Sequence, residues 1–119
     1  MRTRPTILFF SPAGCAIPEF LARWVDGRGL GVIPVTEPAV IEEMVLRFLP
    51  ALVVIDADGA GPAGLELCAR LKGDSYSAIV PLAAVAARHT TDAVRTWFSA
   101  GADGGRRRAW RGLGRRAWP

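Results

Sequence analysis

A carboxylate, Asp56, directly follows a short run of branched apolar residues at positions 52–55, and a second one, Asp58, comes two residues later. An unbroken apolar run of this length that leads into glycines predicts a strand buried on both faces, as in a parallel sheet. Open α/β sheets place their functional sites at the carboxyl ends of their strands. Asp56 is therefore the first candidate for chemistry.

A glycine-rich segment follows, in which Gly59, Gly61 and Gly64 match the pattern G-x-G-x-x-G before a predicted helix. This pattern is typical of loops that bind dinucleotides. Three features oppose that function: Asp56 and Asp58 would repel a pyrophosphate, no acidic residue lies about 20 positions further on to bind a ribose, and the segment follows the third predicted strand rather than the first. A nucleotide-binding protein remains an alternative hypothesis.

The surrounding chain alternates predicted strands and helices, which indicates an α/β protein with a parallel sheet. The predicted strands are residues 6–10, 32–35, 52–55 and 78–86, and a fifth begins near Ala102. Helices are expected after Pro18, after a cap at Thr36, after the glycine-rich loop, and after a cap at Thr90 or Thr91. Their predicted apolar faces contain Ile17, Phe20, Leu21, Trp24 and Val25; Val40, Ile41, Met44, Val45 and Phe48; Leu65, Cys68 and Leu71; and Ala93, Val94, Trp97 and Phe98.

Composition limits the class of protein. The chain has 119 residues and is 50% hydrophobic, which predicts one compact domain. No apolar run approaches the roughly 18–20 residues of a membrane span. Two cysteines are too few for a disulfide framework, and the N-terminus lacks a signal-peptide pattern, so we expect a cytoplasmic protein.

Charge is divided unevenly along the chain. Residues 1–105, the predicted domain, carry nine basic and eleven acidic residues, whereas residues 106–119 carry six arginines and no acid. Nucleic-acid binding is therefore expected only through this arginine-rich tail. The tail has three interpretations: a contact for an acidic partner, nucleic acid or membrane; an ordinary solvated end; or a segment foreign to the fold.

Four separated segments carry a resemblance to a known family. Residues 50–56 (PALVVID), 64–68 (GLELC), 79–82 (IVPL) and 100–103 (AGAD) resemble the receiver domain of two-component response regulators, in the family's order. The resemblance covers roughly residues 5–103. It implies a flavodoxin-like (CheY-like), doubly wound parallel sheet of five strands in the order 2-1-3-4-5. Nothing after Asp103 predicts the family's fifth helix.

The resemblance implies that Asp56 is the phosphoacceptor and that Mg²⁺ assists the phosphoryl transfer. Family members hold this metal with two acidic residues after the first strand, and those positions are Ser11 and Pro12 here. The backbone carbonyl at Asp58 would be a further ligand. With Asp56 and Asp58 as the remaining carboxylates, we expect Mg²⁺ to bind weakly.

The family's switch residues are also replaced in this sequence. The hydroxyl residue after the fourth strand falls on Ala86, the switch aromatic on Gly105, and the lysine that pairs with the phosphoryl group on Arg108. Without a hydroxyl at Ala86, the switch loop lacks its hydrogen-bond donor. Asp56 could instead be an inherited aspartate that loop amides and Arg108 stabilise.

These departures predict a degenerate receiver, or pseudo-receiver. We expect a module without enzymatic activity that docks a protein partner, either a histidine kinase or an output protein, with weak or lost phosphorylation of Asp56. The alternative is a functional phosphoreceiver that accepts phosphate on Asp56 from a histidine kinase, with Arg108 as the counter-ion. The oligomeric state is not predicted.

Overall fold

The computed structural model describes residues 6–14, 16–86 and 91–107, and only the backbone of residues 104–107. Parallel strands alternate with helices throughout this part of the chain, as predicted. The longest described helix has 12 residues, and no described helix is long and apolar enough to cross a membrane. The elements are β1 (Thr6–Phe10), α1 (Glu19–Asp26), β2 (Gly31–Val35), α2 (Pro38–Phe48), β3 (Leu52–Asp56), α3 (Ala57–Ala60), α4 (Pro62–Gly73), a 3₁₀ turn (Ser77–Ile79), β4 (Leu82–Ala86), α5 (Thr91–Ser99) and β5 (Gly104–Arg107).

The sheet has the strand order β2-β1-β3-β4-β5, and every neighbouring pair is parallel. This order confirms the predicted flavodoxin-like topology. All five residues of β3 are buried, as expected for a central strand that is covered on both faces. Strand β5 includes the first two residues of the segment predicted as a tail, and the position of the family's fifth helix lies outside the described residues.

Helices pack on both faces of the sheet and form two separate cores. On one face, Ile41 of α2, Leu67 of α4 and Trp97 of α5 pack in a single cluster with alternate residues of β1 and β3. On the other face, Leu21 and Val25 of α1 pack with the intervening residues of the same strands. Because side chains alternate across a strand, the continuous apolar runs supply both cores.

Strand β4 begins at Leu82 rather than at residue 78, so that prediction is wrong. The segment before Leu82 is held by side chains instead of a strand ladder. Lys72 Nζ donates to the carbonyls of Ala78 (2.7 Å) and Val80 (3.1 Å), and Ser77 Oγ donates to the Leu71 carbonyl (2.6 Å). These contacts fix a 3₁₀ turn against the end of α4.

The predicted glycine-rich loop is also wrong, because most of it is helical. Residues 57–60 form α3, and α4 begins at Pro62 directly after Gly61, whose φ of 56° requires glycine. A Cβ atom on Gly64 would lie 2.7 Å from the Ala60 Cβ and 3.1 Å from Trp97. Gly64 is therefore needed for close helix packing rather than for a flexible loop.

Several predicted helix faces need correction at their ends. Phe48 and Phe98, which lie near the C-terminal ends of α2 and α5, are exposed rather than buried. In α4 the buried leucines are Leu67 and Leu71, whereas Leu65 is only half buried. The predicted cap at Thr36 is wrong, since α2 begins at Pro38 with Glu37 in the N-cap position.

Cys68 is expected to react slowly with thiol reagents in the folded protein. Its Sγ lies 3.5 Å from the Ala100 carbonyl oxygen, and burial raises the pKa of the thiol from 9.0 to about 11. The folded state therefore favours the protonated thiol. The stability that the domain gains from burying this protonated thiol is present below pH 9 and is lost as the pH rises toward 11. Labelling with iodoacetamide in a Cys15→Ser background tests the expectation. Equal rates in native and denaturing buffer would contradict it.

Candidate functional site

The carboxyl ends of β1 and β3 bring Ser11 and Asp56 together. Phe10 pairs with Ile55 in the parallel register, so the residues that follow them lie level. Both side chains are buried, and the Ser11 hydroxyl donates a hydrogen bond to Asp56 Oδ2 over 3.1 Å. Ser11 therefore contacts the candidate phosphoacceptor directly, at the position where the resemblance expects a metal-binding acid.

Asp56 is covered as well as hydrogen-bonded, with a relative exposure of 0%. The α3 turn lies against its carboxylate, since a Cβ atom on Gly59 would be 2.5 Å from Asp56 Oδ2. The same Cβ would lie 3.7 Å from the methyl group of Ala13, in the loop after β1. These two segments close over the carboxylate, so a phosphodonor or metal ion can reach it only if they move.

The second predicted carboxylate lies in the turn that follows Asp56. Asp58 is exposed and lies within α3. Backbone carbonyls in a helix point toward its C-terminal end, so the Asp58 carbonyl points away from Asp56, which precedes the helix. Within residues 6–14, 16–86 and 91–107, no group of three or more histidine, cysteine or acidic side chains could hold a metal ion. The described side chains thus supply fewer acidic ligands than the resemblance implies for a receiver, and weak Mg²⁺ binding stays a prediction.

The predicted switch positions lie at the same end of the sheet. Asp56 pairs with Val85, so Ala86 lies one residue further along β4, and its side chain is half buried. Gly105 pairs with Ala84 within β5, two residues before the end of β4. The predicted counter-ion, Arg108, lies outside the described residues. The structure thus places Asp56, Ser11 and Ala86 at one edge, with Gly105 just inside it.

A second polar cluster lies at the opposite, amino edge of the sheet, and the sequence analysis missed it. Lys72 Nζ lies 2.7 Å from Asp103 Oδ2, and this oxygen also accepts the Leu82 amide over 2.9 Å. The Asp103 amide in turn donates to the Leu82 carbonyl. The Lys72 side chain is only 14% exposed. This cluster ties the end of α4 to the starts of β4 and β5.

The contacts of Ser11 and Lys72 could be found from sequence only in part. The sequence places Ser11 directly after β1, at a position where the family has an acidic residue, but it does not predict that Ser11 donates a hydrogen bond to Asp56. The segment of residues 100–103 identified Asp103, but its partner lies 31 positions away. Pairing them requires the relative positions of α4 and β5, which no local pattern contains.

Comparisons with known proteins identify the fold. No protein-family model matches the chain, and no curated protein matches it significantly. Solved structures do match: a response regulator from Thermotoga maritima has a TM-score of 0.73 at 21% identity, covering 92% of this chain and 88% of that one. The signal receiver domain of a DNA-binding response regulator (merR) from Colwellia psychrerythraea 34H has a TM-score of 0.70 at 18% identity, covering 87% and 85%.

A third structure was captured in an activated state. The BeF3-activated N-terminal receiver domain of RstA from Klebsiella pneumoniae has a TM-score of 0.67 at 20% identity, covering 88% of this chain and 86% of that one. Identities this low establish a shared architecture rather than a shared activity. The chain therefore has the flavodoxin-like fold of response-regulator receiver domains.

Proposed function

We propose that this chain is a receiver-like signalling module of a two-component system that docks a protein partner, with phosphorylation of Asp56 weak or lost. The observation that carries the proposal is the environment of Asp56. Its carboxylate is fully buried, accepts a hydrogen bond from Ser11 and lies against Gly59. The partner would be a histidine kinase or an output protein, as the resemblance implies.

The charge balance at this edge supports the loss of phosphorylation. A phosphoryl group adds about −1.5 to −2 charge beside Asp56 and Asp58 at neutral pH. In receivers Mg²⁺ offsets such charge, but Ser11 and Pro12 supply no carboxylate to hold it. The hydroxyl that would bind the phosphoryl group in a receiver is absent at Ala86. The described residues thus offer little compensation for the added charge.

The structure of the glycine-rich segment argues against a nucleotide-binding function. The segment with Gly59 and Gly64 is helical on both sides of Gly61 and does not form a loop that could surround a phosphate. Gly59 lies against the Asp56 carboxylate, where a phosphate would meet a negative charge. The functional phosphoreceiver therefore remains the stronger alternative.

An NMR titration of the full chain separates the two functions. We expect small amide shifts around Asp56 when Mg²⁺ is added, and no further change with beryllofluoride, which mimics the phosphoryl group on aspartate. The reason is that the closed α3 turn and the missing acids leave neither ligand a prepared site. The measurement is a series of ¹H–¹⁵N spectra at constant pH and ionic strength.

Asp56→Asn is the matched control, because it keeps the side-chain shape and removes the carboxylate. Shifts that spread from Asp56 through Ala86 into β5, and that vanish in this variant, would establish a functional phosphoreceiver and overturn the proposal. Shifts that persist in the variant would indicate binding elsewhere, which is compatible with a pseudo-receiver.

A further inference from the structure

Large apolar side chains are exposed at the amino edge of the sheet, opposite Asp56. Phe48 and Leu49 lie at the end of α2, with exposures of 65% and 40%. Tyr76 and Ile79, between α4 and β4, are 46% and 66% exposed, and Phe98 near the end of α5 is 50% exposed. In a parallel sheet, the chain always returns from a helix to the next strand at this edge.

Hydrogen bonds and close packing bring the backbone beside Ile79 and the end of α5 beside Phe98 to the same lysine. Lys72 Nζ at the end of α4 donates to the carbonyls on both sides of Ile79, at 2.7 and 3.1 Å. A Cβ atom on Gly101 would lie 2.7 Å from the Lys72 Cβ, and the Gly101 amide donates to the Phe98 carbonyl over 3.0 Å. Ile79 and Phe98 therefore flank the same lysine.

The end of α2 extends this surface on its other side. Arg70 of α4 binds Glu42 of α2 over 2.9 Å, so this side of α2 faces α4. Leu46, which is 53% exposed, lies one helical turn after Glu42 on that side. The Val53 amide donates to the Pro81 carbonyl, which places the starts of β3 and β4 next to each other. We call Leu46, Phe48, Leu49, Tyr76, Ile79 and Phe98 the amino-edge patch.

The size of the amino-edge patch approaches that of a protein interface. Given about 150–250 Å² for each fully exposed aromatic side chain, the six side chains expose on the order of 500 Å² of mainly apolar surface. The largest apolar patch on a typical monomer is about 300–600 Å² and is often functional. A stable interface buries about 800 Å² on each partner. Together with the polar residues around it, the amino-edge patch could therefore bury the area that a stable dimer needs.

Charges around the amino-edge patch favour a second copy over a charged partner. Arg47 pairs with Glu43 over 3.2 Å, and Lys72 pairs with Asp103 over 2.7 Å. Asp74 accepts the Tyr76 amide. A second copy brings the same charges to the contact, and like charges across an interface cost several kcal/mol. Because the Arg47–Glu43 and Lys72–Asp103 pairs are each neutral, they add no net repulsion when two patches meet.

Leu49 adds an independent observation. Its φ of 47° lies in the left-handed region, and it is the only non-glycine residue with positive φ in the described part of the chain. Helices commonly end with glycine or asparagine in this conformation, because other residues are strained there. A leucine in this strained conformation that is still 40% exposed gains only part of the packing benefit that its side chain could provide. It gains the rest if another surface covers it.

We propose that the amino-edge patch is the contact surface of a homodimer in which two copies meet through the same patch. This arrangement leaves the Asp56 edge accessible to a signalling partner, since the two edges lie at opposite ends of the strands. Association through this patch does not depend on phosphorylation of Asp56. A chain that does not dimerise would leave the proposed function intact, and a phosphorylated Asp56 would leave the dimer intact.

Sedimentation velocity of the full chain over a wide concentration range tests the dimer. We expect a reversible shift from 12.8 kDa to twice this mass as concentration rises. Ile79→Ser should weaken association about tenfold or more, as expected for an apolar residue at the centre of an interface. Leu49→Asn should also weaken association while leaving the folded domain equally or more stable, because asparagine tolerates the left-handed conformation.

Val40→Ser is the matched control, because Val40 is 42% exposed at the opposite end of α2. It should leave the dimer unchanged. A chain that stays monomeric at every concentration would overturn the proposal. Equal association of the parent, Ile79→Ser and Leu49→Asn would also overturn it. Circular dichroism verifies folding, and Leu49→Asn separates lost association from lost structure.

Discussion

Replacing Ser11 by aspartate is expected to make the stability of this domain depend on Mg²⁺. The new carboxylate would lie beside the buried Asp56, in place of a hydroxyl that donates to it over 3.1 Å. Two buried carboxylates repel each other, so without metal we expect the free energy of unfolding to fall by about 2–4 kcal/mol. Mg²⁺ would restore about 2.7 kcal/mol at 100 times its dissociation constant. Urea unfolding with and without Mg²⁺ measures both effects.

Ser11→Asn is the control, because asparagine is similar in size to aspartate and adds no charge. It should show no Mg²⁺-dependent change in stability. If Ser11→Asp is as stable as the parent and insensitive to Mg²⁺, then the β1–β3 edge is more open than the buried Asp56 indicates. The result would also show whether one acid suffices to recreate a metal site at this edge.

Replacing Asp103 by alanine is expected to lower the free energy of unfolding by about 1–3 kcal/mol. The change removes the only carboxylate that the described contacts give Lys72, whose side chain is 14% exposed and which keeps the carbonyls of Ala78 and Val80, and it removes the acceptor of the Leu82 amide. Both groups would remain poorly solvated in the folded state. Denaturant unfolding monitored by circular dichroism measures the loss, and hydrogen exchange should show faster opening at the start of β4.

Two variants separate the contributions to this effect. Asp103→Asn keeps an acceptor for the Leu82 amide and loses only the ion pair, so its cost should be smaller than that of alanine. Arg70→Ala removes a pair in which both side chains are substantially exposed, and we expect little change in stability. A loss for Arg70→Ala equal to that for Asp103→Ala would show that the burial of Lys72 and of the Leu82 amide does not determine the energetics.

The two edges of the sheet thus differ in the groups that they present. The carboxyl edge holds a closed carboxylate whose environment lacks the acids and hydroxyl of a phosphorylated receiver. At the amino edge, the Lys72–Asp103 cluster fixes the connections that carry the amino-edge patch. Rigid connections reduce the ordering cost of association, which favours an interface there.

The sequence alone determined the fold class, the strand order and the position of Asp56. Apolar runs such as residues 52–55 and the helical spacing in α1 and α2 are local patterns. They predict the elements correctly because each element buries its apolar face within or against the same sheet. The four segments that resemble receiver domains then fixed the topology. The sequence also located Ser11 at the site, because it directly follows β1.

Only the tertiary structure decided which groups touch. The parallel register of β1 and β3 converts Ser11 from a missing acid into a hydrogen-bond donor. Helix packing explains Gly64, which the sequence placed in a loop, because a Cβ there would meet Ala60, Ile55 and Trp97. Likewise, Phe48 fits an apolar helix face, yet it is 65% exposed. Such contacts depend on distant elements, and local periodicity carries no information about them.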